Sequence, residues 1–220
     1  MTVDDRQAGA GTDTPTSLAV LASGRGSNFV AIAEAVRRGD LPVRLALVLS
    51  DVPDAPVLEK AASFGVPTVV VHPAAARDDQ GRYSRDRYSD LVLEELLRRG
   101  VEYVALAGFM RLLGGELLRR YERRIVNIHP SLLPAFPGLD AQRQALEYGV
   151  RVTGCTVHLV DAGVDTGPVI AQRAVPVEPD DTVETLTARI LAAEHDLYWR
   201  ALKRLVTETL VLHGRRAVFV

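Results

Sequence analysis

Between Leu18 and Tyr148, short apolar runs alternate five times with segments whose apolar residues recur at helical spacing. The runs are Leu18–Leu21, Val43–Leu49, Val66–Val71, Val101–Ala107 and Ile125–His129. The intervening segments Phe29–Arg38, Pro56–Phe64, Tyr83–Arg99, Leu112–Tyr121 and Leu139–Tyr148 read as helices, with Pro56 near a start and Gly39, Gly65 and Gly100 just past the ends. Ala74–Gln80 is polar and reads as a loop. This alternation predicts an α/β fold: a Rossmann-like, mostly parallel sheet with helices on both faces. After Tyr148 the pattern changes. Val152–Val160 and Val169–Val177 read as antiparallel strands joined by the Asp161–Pro168 loop, Thr182–Val206 as a long helix, and Thr207–Val220 as a final hairpin. We expect one domain over residues 17–220.

A sheet of this kind binds ligands at the carboxyl ends of its strands, which directs attention to the loops after the first, fourth and fifth runs. With 220 residues, 47% of them hydrophobic, the chain can bury a substantial core. Its net charge of −2 and pI near 6.2 argue against a nucleic-acid partner. The lysines are only Lys60 and Lys203, so arginine carries nearly all the positive charge. One cysteine, Cys155, allows no internal disulfide and reads as an inert buried thiol, which fits a cytoplasmic protein. Residues 1–16 lack the apolar stretch of a signal peptide and read as a disordered lead-in; no run is long enough to span a membrane.

Ser23-Gly24-Arg25-Gly26-Ser27-Asn28 joins the first strand to the first helix. Glycines let a backbone approach a bound group, and a helix N-terminus favours an anion, so a phosphate suits this loop. The same residues also read as a tight turn with a helix cap. Without Gly-Lys-Ser/Thr or a third glycine, a mononucleotide-like phosphate fits better than ATP or NAD. Asn127 and His129 lie two apart on a strand, so both side chains leave one face. An amide beside an imidazole can stabilise an oxyanion and move a proton; the alternative is a strand-end turn and a core histidine. Asp165, in a loop with two glycines and a proline, would raise the His129 pKa if aimed at it, or could simply form the turn. His158, mid-strand, is a candidate support for this group.

Four strings in order, Ser23–Asn28, Ala107-Gly108-Phe109-Met110-Arg111, Asn127-Ile128-His129-Pro130-Ser131-Leu132-Leu133-Pro134 and Asp165-Thr166-Gly167-Pro168, resemble the glycinamide ribonucleotide formyltransferases of purine biosynthesis. The resemblance runs from about Leu18 to about Leu202. It implies the formyltransferase fold, with a phosphate-binding half to about residue 120 and a folate-binding, catalytic half from about 121, and formyl transfer from 10-formyltetrahydrofolate to the amine of 5'-phosphoribosylglycinamide. It also implies a catalytic trio of Asn127, His129 and Asp165, without a metal. Gly26, Ser27, Asn28 and Glu194 would hold the phosphoribosyl substrate. Arg85, Met110, Arg111, Leu112, Leu113 and the backbone of Asp161, Ala162, Gly163 and Val164 would hold the folate. Partners would be these small molecules, with no nucleic acid or membrane, and the resemblance allows a homodimer. One departure stands out: Leu139-Asp140-Ala141-Gln142 follows Gly138, where the family often carries a histidine-rich stretch. The alternatives are a formyltetrahydrofolate deformylase, which usually has an extra amino-terminal domain, and a non-catalytic phosphosugar binder. Methionyl-tRNA formyltransferase would need a basic carboxy-terminal domain.

Overall fold

The computed structural model describes residues 15–220. Most of the expected lead-in, residues 1–14, lies outside the described residues; Thr16 belongs to the first strand rather than to a tail. The elements run β1 (Thr16–Leu21), α1 (Ser27–Arg37), β2 (Val43–Ser50), α2 (Pro56–Ser63), β3 (Thr68–Val70), α3 (Arg85–Arg98), β4 (Tyr103–Leu106), α4 (Gly115–Arg120), β5 (Ile125–His129), α5 (Ala141–Tyr148), β6 (Val152–Leu159), β7 (Val169–Pro176), α6 (Val183–Thr207), β8 (Leu210–His213) and β9 (Arg216–Phe219). Seven strands form one sheet in the order β3-β2-β1-β4-β5-β6-β7. The strands β1 to β5 pair in parallel, while β6 and β7 are antiparallel. A separate hairpin pairs β8 with β9.

Strand β1 shows why the sheet needs cover on both sides. Leu18 and Val20 pack into a cluster with Phe29 and Ile32 of α1 and Tyr198 and Leu202 of α6. The alternate residues Ala19 and Leu21 pack into a second cluster with Tyr88, Val92 and Leu96 of α3 and Leu117 of α4. A strand buried on both faces is apolar at every position, which is the pattern its sequence shows. Strand β1 lies between β2 and β4, so the chain leaves it in opposite directions. The loops after β1 and β4 diverge there and open a crevice.

Several sequence expectations change: α4 starts at Gly115 rather than Leu112 and β3 is limited to Thr68–Val70. Ala74–Gln80 is not all loop, because Pro73–Ala76 forms a turn of 3-10 helix behind His72. Helix α3 starts at Arg85 rather than Tyr83, because the Ser84 hydroxyl caps it and Tyr83 is bridged to Arg77. Helix α5 starts at Ala141 rather than Leu139, because Asp140 takes a left-handed conformation. Thr182 caps α6 through reciprocal bonds with Thr185. Farther along α6, the buried Tyr198 hydroxyl meets the carbonyls of Leu106 (2.8 Å) at the end of β4 and Val126 (3.1 Å) near the start of β5. That contact pins α6 across the crevice, and Glu194, four residues earlier on the same helix face, is carried to its wall.

Candidate active site

A cleft of about 710 Å³ opens at the crevice, within the size range of small-molecule sites. One end is built on the start of α1. Gly26 sits at φ 70, and a Cβ there would fall 2.4 Å from Val57 Cγ2 of α2, so only glycine brings the two segments this close. No side chain caps α1 and its first turn holds no acidic residue, which leaves that turn's amides and partial positive charge facing the cleft. Gly26, Ser27 and Asn28 all line it. Asn28 Nδ2 donates to Glu194 Oε2 at 2.8 Å. Asn28 Oδ1 is buried and has no partner among the described residues. Burial pushes the Glu194 carboxyl up to about 7, against the Asn28 hydrogen bond that pulls it down.

The chemical end is built on β5, β6 and two loops. Asn127 faces His158 across the antiparallel β5–β6 pair. Its Nδ2 stands 3.2 Å from His158 Nε2 and 3.5 Å from Asp165 Oδ1. The other Asp165 oxygen lies 3.3 Å from His129 Nδ1 and accepts from the Gly138 N–H at 2.8 Å. His129 Nε2 meets the Phe136 carbonyl at 2.8 Å. His158 Nδ1 meets the Leu159 carbonyl at 2.8 Å, so its Nε2 is left for Asn127 and Asp165. The structure thus brings Asp165 within reach of both Asn127 and His129, with His158 contacting Asn127 and Asp165.

The charges differ from the sequence expectation. Burial lowers the His129 pKa, and the Phe136 carbonyl and Asp165 carboxylate, which push it up, do not outweigh that burial. Burial raises Asp165, but the bonds from His158 and Gly138 and the charge of His129 hold it below the ordinary carboxylate range. Both His129 nitrogens nevertheless face oxygen acceptors, an arrangement that only the imidazolium satisfies fully.

Beside this cluster, Leu106, Phe109, Leu112, Leu113, Val160 and Val164 form an apolar slot that also reaches Asn127, His158 and Asp165, and Asp161 and Gly163 complete its rim. Arg111 lines the slot and is held by Asp51 at 2.7 Å. Met110 is exposed at the cleft edge, with its N–H on Ser23 Oγ (2.9 Å). Arg85 and Ala162 stand outside the lining, joined by a 3.3 Å bond from the guanidinium to the carbonyl. The departing residues Leu139, Asp140 and Gln142 line the main cleft. Sequence reasoning missed Asp51, whose buried carboxylate ties Ser23 to Arg111. Its signal was an acid at the carboxyl end of the second strand. It also missed Arg25, Thr187 and Leu191 as cleft residues, the last two because only packing shows which face of α6 meets the cleft. Cys155 is buried and its thiol is pushed up to about 12 by that burial, as an inert thiol should be.

A sequence profile of the formyl transferase family matches residues 16–202. A phosphoribosylglycinamide formyltransferase from Bacillus subtilis is 44% identical over 188 residues, 86% of this chain and 93% of the relative. The crystal structure of glycinamide ribonucleotide transformylase 1 from Symbiobacterium toebii superposes with a TM-score of 0.88 at 48% identity, covering 94% of each chain. That of glycinamide ribonucleotide transformylase 1 from Geobacillus kaustophilus gives 0.81 at 51% identity, over 87% of this chain and 99% of the other.

Proposed function

The chain belongs to the formyl transferase family, and we propose that Asn127, His129 and Asp165 are the groups with which it performs the transfer. It is a transferase of purine biosynthesis that formylates the amine of phosphoribosylglycinamide from a formyltetrahydrofolate. We take the donor to be the 10-formyl isomer. The observation that carries the assignment is the Asp165 carboxylate, placed 3.3 Å from His129 Nδ1 and 3.5 Å from Asn127 Nδ2 at the cleft.

The neutral amine attacks the formyl carbon, and negative charge grows on the formyl oxygen. The Asn127 amide and the His129 imidazolium donate to that oxygen. To do so, His129 exchanges its Phe136 carbonyl partner for the substrate oxygen while Asp165 keeps the other ring nitrogen. Hydrogen bonds in a free enzyme often rearrange in this way when substrate binds. As the new C–N bond forms and the bond to the folate nitrogen breaks, the amine's proton passes through a water beside Asp165 to the leaving nitrogen. The nucleophile is already an amine, so the reaction as proposed needs no metal and no covalent enzyme intermediate.

The apolar slot suits a flat heteroaromatic ring. The backbone of Asp161–Val164, with Arg85, Met110, Arg111, Leu112 and Leu113, would hold the folate. Gly26, Ser27 and Asn28 would hold the phosphate, and Glu194 would contact the phosphoribosyl substrate beside them. The single domain would divide this labour near residue 120, with Glu194 reaching back across the division. We place the protein in the cytoplasm, with the phosphoribosyl substrate and the folate as its small-molecule partners and a homodimer allowed. No helix among the described residues is long and apolar enough to cross a membrane.

An absorbance assay with a 10-formyl folate tests the reading. Deformylated folate should appear only when phosphoribosylglycinamide is present. Release with water alone would make the chain a deformylase, and no release would leave a binder.

A further inference from the structure

The loop Asp161–Pro168 carries Asp165 at φ 53, a left-handed conformation that a residue with a Cβ keeps only when its surroundings impose it. Part of the imposition is internal. The Asp161 carboxylate accepts from the Gly163 N–H (3.0 Å) and the Thr166 hydroxyl (2.6 Å). Gly167 lies so close to β6 that a Cβ would sit 1.7 Å from the Leu159 carbonyl oxygen.

The rest comes from far along the chain. Arg215 Nη2 donates to the Thr166 carbonyl at 2.6 Å and reaches the Gly167 carbonyl at 3.4 Å, gripping the two residues that follow Asp165. Arg215 occupies the turn of the β8–β9 hairpin. His213 pairs with Arg216, so Gly214 and Arg215 are its two central residues, and Gly214 at φ 62 supplies the positive φ that such a turn requires. The hairpin is itself anchored. Thr209 and Val220 exchange both backbone hydrogen bonds, and the Arg204 guanidinium covers Phe219 at 4.4 Å. Arg215 forms no ion pair among the described residues, and the hydrogen bonds it makes, both through Nη2, go to the loop. The hairpin also lies beyond residues 16–202, the extent of the family match.

We propose that Arg215 is a positioning residue for Asp165: the carboxy-terminal hairpin clamps the far limb of the loop and holds the carboxylate against His129. This rests on the catalytic reading of Asp165. Binding of the phosphoribosyl substrate should be little affected, because the phosphate end of the cleft is built on α1 and α6, whereas the hydrogen bonds of Arg215 go to Thr166 and Gly167.

Four variants test it: Arg215→Ala, Arg215→Lys, Arg216→Ala and Asp165→Asn. A partly exposed hydrogen bond of this kind predicts a kcat about fivefold lower for Arg215→Ala, with KM for phosphoribosylglycinamide unchanged. Arg215→Lys should recover most of the loss, since an ammonium can still donate to the Thr166 carbonyl. Arg216→Ala, one residue along and not bonded to the loop, should behave as wild type. A wild-type kcat for Arg215→Ala overturns the proposal, and so does a lysine variant no better than alanine. So does an equal loss in the two alanine variants accompanied by equally lowered melting temperatures. Asp165→Asn separates the two claims: if it is inactive while Arg215→Ala is unaffected, only the clamp fails, whereas normal turnover in Asp165→Asn removes the catalytic reading itself.

Discussion

At the phosphate end of the cleft, Asn28 and Glu194 stand on α1 and α6, and their side chains bond across a helix pair that the core already fixes. At the formyl end, Asp165 and Phe136 stand in loops at φ 53, held by single hydrogen bonds from Gly138, His158 and His129. The first end offers a preset partial charge to an anion. The second is a mesh of partnered polar groups in which, on the proposed mechanism, His129 exchanges its Phe136 partner as charge develops while Asp165 keeps its own. Binding calls for rigidity that exists before the substrate arrives, and helices provide it. Chemistry calls for donors that answer a charge appearing later, and a loop mesh can hold them in reserve.

The contrast can be broken most sharply at the formyl end. Asn127→Ala and Asp165→Asn should each lower kcat on the order of 10²–10⁴-fold, with circular dichroism unchanged and KM for the phosphoribosyl substrate little altered. Near-normal turnover in either would place the chemistry elsewhere.

Glu194 gives the next effect, and it is one of stability. Its carboxyl titrates near 7 in the folded chain against an ordinary 4.5. Between these pH values the folded chain keeps a proton that the unfolded chain has released, so stability falls as pH rises, on the order of 3 kcal/mol in total. Glu194→Gln cannot titrate and still accepts from Asn28. Urea unfolding at pH 5 and pH 8 should show the fall in wild type and its loss in the variant; equal slopes would mean the carboxyl is not desolvated.

Gly26→Ala is the smallest change in atoms. The methyl meets Val57 and the residue keeps a positive φ, which together cost roughly 1–3 kcal/mol. Because the amides of the first turn shift with it, KM for the phosphorylated substrate should rise while kcat on saturating substrate holds. A kcat loss with unchanged KM would erase the distinction between the two ends.

Much of this could be read along the chain. Strand β5 appears at its expected limits, Ile125–His129, because an apolar run ended by proline is a local signal. The antiparallel pair β6–β7 and the closing hairpin also followed from alternation and turn residues. Errors gathered where local pattern gave way to a single contact: the Ser84 cap that starts α3 late, the left-handed Asp140 before α5, and the short β3, whose apolar run extends beyond its pairing with β2.

The sequence by itself determined the layered α/β architecture and the residue types available at the strand ends, since burial on both faces demands continuous apolar runs and tight loops demand glycine. It also carried the order of motifs that marks the family. Only the tertiary structure decided which polar groups meet. Asp51 with Arg111, Asn28 with Glu194, His158 with Asn127 and Arg215 with the Asp165 loop are separated by 60, 166, 31 and about 50 residues respectively. Periodicity senses the turn of one helix or the pleat of one strand. It carries no information about a hydrogen bond that exists only after the sheet has closed around its crevice.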